Sequence, residues 1–417
     1  MSYRPRVVDE PLRHMLAVAG AVLVEGARAC GKTETGEHHS RSVVRLDVDH
    51  AARELAALAP SRLLEGATPR LLDEWQLAPE LWNHVRRAVD ARKQPGQFIL
   101  TGSATPTDDV TRHSGAGRIL RLRMRPMSLF ESGHSTGEVS LRSLLHGTES
   151  VEGASTLDIM QVADLICTGG WPGLQALSPA DAQLFLRSYL DDIARVDIPA
   201  ADGRRRDPAR VRRVLTAYAR HVATAASVAT ITADSADATG TEVRHETTTD
   251  YLGSLERIMV VEEQPSWGPH LRSRDVVRGS RIRHFVDPSL AVAALRASPE
   301  RLLDDPSTFG LLFESLAVRD LRVYSQTLDG EVRHYRDSAG LEADAIVQLH
   351  DGRWAAIEVK LGQNRIEEAA ASLTKLVAKI DTSRSGDPAA RVIITGGQYA
   401  YTRPDGIHVV PLGCLAP

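Results

Sequence analysis

Gly26-Ala27-Arg28-Ala29-Cys30-Gly31-Lys32-Thr33 matches G-x-x-x-x-G-K-[ST], the loop that cradles the phosphates of a nucleoside triphosphate. Ala21-Val22-Leu23-Val24-Glu25 precedes it and reads as a buried strand, and a helix is expected from Glu34 onward. In that setting the backbone N–H groups of Gly26, Ala27, Arg28, Ala29, Cys30 and Gly31 turn inward around an anion. The helix N-terminus adds a favourable dipole. Lys32 is expected to reach the terminal phosphates, and the Thr33 hydroxyl to hold Mg2+.

Working outward, Arg70-Leu71-Leu72-Asp73-Glu74 is a short apolar strand ending in two acids. Phosphoryl transfer needs a carboxylate on the Mg2+ shell and a group that orients the attacking water. Asp73 suits the first role and Glu74 the second. A third strand, Phe98-Ile99-Leu100-Thr101-Gly102-Ser103, ends in hydroxyl residues. There Thr101 senses the γ-phosphate or the lytic water, or else Thr101 and Ser103 are turn formers. Arg118 follows the glycines of Gly115-Ala116-Gly117 and is the candidate for stabilising charge on the γ-phosphate, in cis or from a neighbouring subunit. Arg121, Arg123 and Arg125 follow it.

With 417 residues the chain is expected to form more than one domain. A net charge of −4 gives no global basic footprint, which argues against a protein that coats nucleic acid. A local patch stands at Arg204-Arg205-Arg206, followed by Arg210, Arg212 and Arg213. Cys30, Cys167 and Cys414 are scattered, odd in number and without metal spacing, so a reducing cytosol is the expected setting. Cys30 is read as a small loop filler. No apolar stretch approaches a membrane span and Met1-Ser2-Tyr3-Arg4-Pro5 lacks an apolar signal core, so a cytoplasmic protein is expected.

Up to about residue 130, short apolar strands alternate with helical stretches, the pattern of a parallel α/β sheet. Val43 to Asp47 is a further strand and Leu81 to Ala91 an amphipathic helix; Ser132 to Gly153 reads as a loop or linker. Leu157 to Ile198 reads as helical, interrupted by Gly169-Gly170-Trp171-Pro172-Gly173. Helical pattern then covers Val211 to Ala223, Thr230 to Ala236 and Glu242 to Glu256. Ile258 to Val261 and Ile282 to Val286 read as two strands around a loop, completing a winged helix-turn-helix. Its second motif helix would present Arg244, His245, Thr247, Thr248 and Thr249 to DNA, or simply pack; Glu242, Glu246 and Asp250 oppose DNA contact.

The last quarter carries a second chemical signal. Leu341 to Val347 and Trp354 to Lys360 read as central strands, and period two puts Glu358 and Lys360 on one face. Asp344 followed by Glu358-x-Lys360 is the layout of the PD-(D/E)xK nuclease core, in which carboxylates hold Mg2+ and the lysine steadies the nucleophilic water. Glu314, on the apolar helix Gly310 to Leu321, would be a fourth member of this second metal site. Lys360 alternatively neutralises Glu358 in a retired or conditional site, and that is the reading adopted.

Together these features resemble a prokaryotic family of AAA+-superfamily P-loop ATPases with a C-terminal domain of unknown function. The resemblance runs through the phosphate loop, Leu71-Leu72-Asp73-Glu74-Trp75-Gln76, Ile99 to Ser103, Ser114 to Arg118 and Arg125-Pro126-Met127-Ser128-Leu129. It continues through Gly169-Gly170-Trp171-Pro172, Tyr189 to Ile193, His284-Phe285-Val286-Asp287-Pro288, Gly310 to Glu314 and the Asp344/Glu358/Lys360 set. It implies an α/β chain with an AAA-type core on a parallel sheet over 1–150 and a helical lid over 151–205. A winged helix-turn-helix would follow over 206–290 and a restriction-endonuclease-like α/β domain over 291–417. ATP and Mg2+ are the implied cofactors, hydrolysis the implied activity, and DNA, a partner protein or further copies of the chain the candidate partners. The motif helix departs from the family in its load of threonine and acid.

Overall fold

The computed structural model describes residues 3–103, 114–199, 206–237, 239–240, 243–270 and 280–417. They fall into two compact units. One comprises Met1–Pro126, Asp197–Arg205 and Ser254–Val260, the other Met127–Val196, Arg206–Gly253 and Val261–Pro417. The four-part division expected from sequence is finer than this.

The first unit is built on a five-stranded sheet ordered β2-β3-β4-β1-β5. Its strands are β1 (Ala21–Glu25), β2 (Ser42–Arg45), β3 (Arg70–Asp73), β4 (Phe98–Gly102) and β5 (Ile119–Arg123), and every pairing is parallel. Near-continuous apolar runs suit strands covered on both faces, and β4 is buried along its whole length. One face packs Leu23, Leu72, Phe98 and Leu100 against Trp75 and Trp82, whose rings lie 5.0 Å apart. Helix α1 (Asp9–Val18) precedes β1, and α2 (Lys32–His38) leaves the phosphate loop. α3 (His50–Leu58) is capped by Asp49, whose side chain accepts from the Ala52 N–H. The expected helix after the 70–74 strand is Leu81–Arg92. Because β4 and β5 flank β1, the chain reverses its strand order around β1, and the carboxyl ends of β1, β3 and β4 open on one crevice.

In the second unit, helices Ile159–Thr168 and Pro179–Asp192 are separated by the Gly-Gly-Trp-Pro turn, as expected. This turn meets the other blocks of the resemblance in one buried knot. The Gly170 N–H donates to Asp287 Oδ2 at 2.9 Å, and the Trp171 indole N–H to Ser289 Oγ at 3.0 Å. The Met127 N–H donates to the Gly170 carbonyl at 2.6 Å. Arg319 bridges Asp287 at 2.8 Å and Asp320 at 2.7 Å, and Asp320 accepts from the Leu129 N–H at 3.0 Å. A Cβ on Gly170 would lie 2.0 Å from the Met127 carbonyl oxygen, so only glycine fits there. Burial pushes the Asp320 carboxyl up, against the pull of Arg319.

Helices Pro208–Arg220, Val228–Asp234 and His245–Arg257 follow. The two strands expected after them are not formed among the described residues. Ile258 to Val260 is a turn with Met259 at φ +61°, and pairing reduces to the antiparallel bridges Val261–Phe285 and Gln264–Ile282. A β-branched run reads as strand unless the preceding helix uses its residues to terminate, as the Val260 N–H to Leu255 carbonyl bond does here. Arg204, Arg205, Glu242 and residues 271–279 lie outside the described residues.

The C-terminal sheet has seven strands ordered β7-β12-β13-β11-β10-β9-β8. They are β7 (Gly153–Ala154), β8 (Gly330–Arg336), β9 (Glu342–Leu349), β10 (Trp354–Lys360), β11 (Ala390–Thr395), β12 (Tyr399–Thr402) and β13 (His408–Pro411). β10 runs antiparallel to β9 and parallel to β11, so the sheet is mixed. Helix Ile366–Lys379 covers Ile346, Trp354, Ala356 and Ile393. The segment expected to be linker is partly ordered into this unit. β6 (Val139–Ser140) pairs with β14 (Leu415–Ala416), and β7 joins β12. Strands of two residues carry no period, which is why sequence reading missed them. No helix among the described residues is long and apolar enough to cross a membrane.

Candidate functional site

The phosphate loop leaves β1 and enters α2 through Gly31 at φ +106°, with Ala29 also left-handed at φ +60°. Gly26 is sterically required, since a Cβ there would lie 2.1 Å from the Met124 carbonyl oxygen. Lys32 folds back, its ammonium donating to the carbonyls of Gly26 at 2.9 Å and Ala27 at 2.8 Å. Cys30 is buried, with Sγ 3.7 Å from the Met124 carbonyl, a small filler as expected. Arg28 instead points outward and pairs with Asp197 at 2.7 Å.

Register brings the remaining side chains together. Leu72 pairs with Leu100 and Val24 with Thr101, so Asp73 and Thr101 stand side by side at the end of the loop strand. The Thr33 hydroxyl donates to Asp73 Oδ1 at 2.9 Å and contacts Oδ2 at 3.2 Å. The Thr101 hydroxyl also donates to Asp73 Oδ1. Three residues drawn from three elements thus share one oxygen-rich point. Ser103, the other hydroxyl of that strand end, is buried.

Glu74 follows in a left-handed conformation at φ +54°, and the Gln76 side-chain amide donates to its carboxylate. The other end of that amide, Gln76 Oε1, is buried and has no hydrogen-bond partner among the described residues. Gln76 and Arg6 went unnoticed as site residues from sequence. Arg6 ties the N-terminal segment to the loop by donating to the Cys30 carbonyl at 2.9 Å and the Arg125 carbonyl at 2.8 Å. Nothing in the spacing of Arg6 marks this, whereas Gln76 sits two residues past Glu74.

Arg118 does not reach this crevice in its own chain. It precedes β5, whose first residue pairs with Ala21 at the amino end of β1, and it binds Asp90 at 2.9 Å. Five residues of strand at about 3.3 Å each put it about 16 Å from the loop. In its own chain Arg118 therefore sits at the sheet end away from the phosphate loop. Arg121 pairs with Glu25 at 2.8 Å.

The second set does assemble. β10 and β9 pair Ile357 with Ala345, so the next step sets Glu358 opposite Asp344. Lys360 lies 2.6 Å from Glu358 and 3.1 Å from Asp344, which also accepts from the Val359 N–H at 2.7 Å. Ser372 donates to Glu358 Oε1 at 3.0 Å, a partner that sequence gave no sign of. Burial, then Asp344, push the Glu358 carboxyl up to about 7 against the pull of Lys360. The same two causes raise Glu314, on helix Pro306–Ser325, well above the carboxylate range. Burial works against the Lys360 ammonium, but Asp344 and Glu358 outweigh it and hold the proton on. Among the described residues no group of three or more His, Cys, Asp or Glu side chains is arranged to hold a metal ion. The Lys360 ammonium stands between the Glu358 and Asp344 carboxylates.

On the expected motif helix, Thr248 is buried and the Thr249 hydroxyl donates to the His245 carbonyl at 3.0 Å. Arg206 reaches Asp250 at 3.4 Å and lies over the Tyr251 ring.

Residues 19–132 match the family model described as AAA domain. Residues 159–301 and 309–415 match two models described as Domain of unknown function, DUF8612 and DUF4143. The uncharacterized proteins Rv2008c of Mycobacterium tuberculosis and Mb2031c of Mycobacterium bovis are each 24% identical over 404 residues, 96% of this chain and 82% of theirs. Among solved structures, a Walker-type ATPase of Pyrococcus abyssi is 16% identical with a TM-score of 0.43, over 71% of this chain and 96% of that one. The AAA domain match, on the residues that carry the phosphate loop, supports a P-loop ATPase family for the N-terminal part of this chain.

Proposed function

We propose that this chain is an Mg2+-dependent ATPase whose nucleotide state moves its C-terminal modules, with DNA as the candidate target. The carrying observation is the meeting of Thr33, Asp73 and Thr101 beside the phosphate loop, an all-oxygen set of the kind Mg2+ prefers. Thr33 and Asp73 would hold Mg2+, which would supply charge neutralisation on the nucleotide phosphates. With nucleotide bound, Lys32 would exchange the Gly26 and Ala27 carbonyls for phosphate oxygens. Glu74 orients the attacking water once its carboxylate leaves the Gln76 amide, and Thr101 reports on the γ-phosphate. Arg118 serves a neighbouring copy, so mixing Arg118→Ala with Lys32→Ala protein should restore part of the activity each lacks. Purified protein should release phosphate from ATP, and Lys32→Ala should abolish nucleotide binding.

Three helices and two antiparallel bridges support a winged-helix reading for 206–290, and the Asp344/Glu358/Lys360 geometry a nuclease-like fold with a retired or conditional site. A second reading, a nucleotide-gated switch with slow hydrolysis that holds DNA or a partner protein, is favoured by the Gln76 hold on Glu74 and the absence of Arg118 from its own crevice. Turnover with and without DNA separates them: strong stimulation marks the DNA-linked ATPase, and nucleotide-dependent affinity without turnover marks the switch.

A further inference from the structure

In the second unit, helices Pro179–Asp192, Pro208–Arg220 and Pro288–Leu295 converge on a cavity of about 110 Å3. Arg187, Arg212, Arg296 and Asp191 line it above an apolar floor that includes Leu190 and Leu215. Only one guanidinium is answered: Arg212 donates to Asp191 at 2.5 Å. The Arg187 and Arg296 side chains make no ion pair or hydrogen bond among the described residues. Arg296 also ends its helix in the left-handed region at φ +53°, a conformation with a steric cost for any residue bearing a Cβ.

The three guanidiniums and the single Asp191 carboxylate leave this partly open pocket with net positive charge, which favours an anion. The carboxyl end of helix Pro288–Leu295 contributes a partial negative charge of about one half, too little to offset the two unanswered guanidiniums. Guanidinium stays charged at all working pH and matches tetrahedral oxyanions through paired N–H donors. By the same measure a single water needs about 10–15 Å3, so the cavity has room for a tetrahedral oxyanion.

We propose that this cavity binds a single phosphate group, presented either by a nucleic-acid backbone or by a small phosphorylated molecule. It absorbs Arg212 from the arginine run of 204–213 and owes nothing to the phosphate loop.

The test uses the full chain carrying Lys32→Ala, which removes the phosphate loop as a competing site. Inorganic phosphate is titrated calorimetrically into this protein and into the same protein with Arg187→Gln and Arg296→Gln added. Saturable binding is expected in the first and binding weaker by at least roughly tenfold in the second, since each charged hydrogen bond carries about that factor. Asp191→Asn should instead tighten phosphate binding, an opposite sign that simple misfolding does not produce. Equal phosphate binding with and without the two arginines, or weaker binding in Asp191→Asn, overturns the proposal. Duplex DNA binding over a salt series then identifies the source. A salt slope reduced by roughly one phosphate equivalent in the double variant assigns the site to backbone phosphate, and an unchanged slope assigns it to a small phosphorylated ligand.

Discussion

Replacing Glu358 with glutamine should stabilise the protein at high pH and change little at low pH. Burial and the facing Asp344 push this carboxyl from an ordinary 4.5 up to about 7. A group whose folded pKa is raised adds stability below its unfolded value and loses it as pH rises through the folded value. The window is therefore about 4.5 to 7, and above it the native state carries an ionised carboxylate in a poorly solvated place. At about 1.4 kcal/mol per pKa unit the cost approaches about 3 kcal/mol, an upper bound because Lys360 contacts this carboxylate. Glutamine fits the same space: its carbonyl accepts from Lys360, its amide donates to the Ser372 hydroxyl, and Lys360 keeps Asp344. Scanning calorimetry of wild type and Glu358→Gln at pH 5 and pH 8.5 checks this. The stability gap in favour of the variant should widen with pH, towards about 3 kcal/mol. A gap that stays constant or narrows as pH rises would refute the charge balance assigned to this site.

The buried knot should be unforgiving: Arg319→Ala strands two carboxylates and is expected to cost about 3–5 kcal/mol in chemical or thermal unfolding. Gly170→Ala drives a methyl into the Met127 carbonyl and should lower stability by about 1–3 kcal/mol in the same assay. Asp73→Asn should cut ATP turnover at least roughly a hundredfold and weaken its dependence on Mg2+, read by phosphate release across a metal titration. Gln76→Ala frees the Glu74 carboxylate and should raise turnover severalfold while ATP affinity stays put; lower turnover would assign Gln76 a supporting role instead.

Much of the nucleotide crevice was legible because its parts are strand ends. A parallel sheet puts every carboxyl terminus on one edge, so apolar runs ending in Glu25, Asp73 and Gly102 bring their sequels together whatever lies between. Strand parity likewise placed Glu358 and Lys360 on one face with Asp344 opposite. Arg118 stands at the other sheet end of its own chain, because nearness in sequence to a strand does not say which end of the sheet is meant. Arg6, Gln76 and Ser372 act through single contacts across long or irregular separations, which leave no period to read. The later blocks, such as Gly169-Gly170-Trp171-Pro172 and Asp287-Pro288, looked like separate signatures. They are one buried polar knot, held by an arginine at position 319 that no block contained. β6 and β7 were lost for want of length.

The central claim is that Glu74 activates water beside a phosphate loop whose metal shell contains Thr33 and Asp73. Phosphate release from ATP by wild type and Glu74→Gln, each with Mg2+ and with the metal chelated, tests it most directly. Wild type should turn over only with Mg2+, and Glu74→Gln should bind ATP equally well yet turn over at least roughly a hundredfold more slowly. Equal turnover in the two proteins, or release that persists without Mg2+, would contradict it.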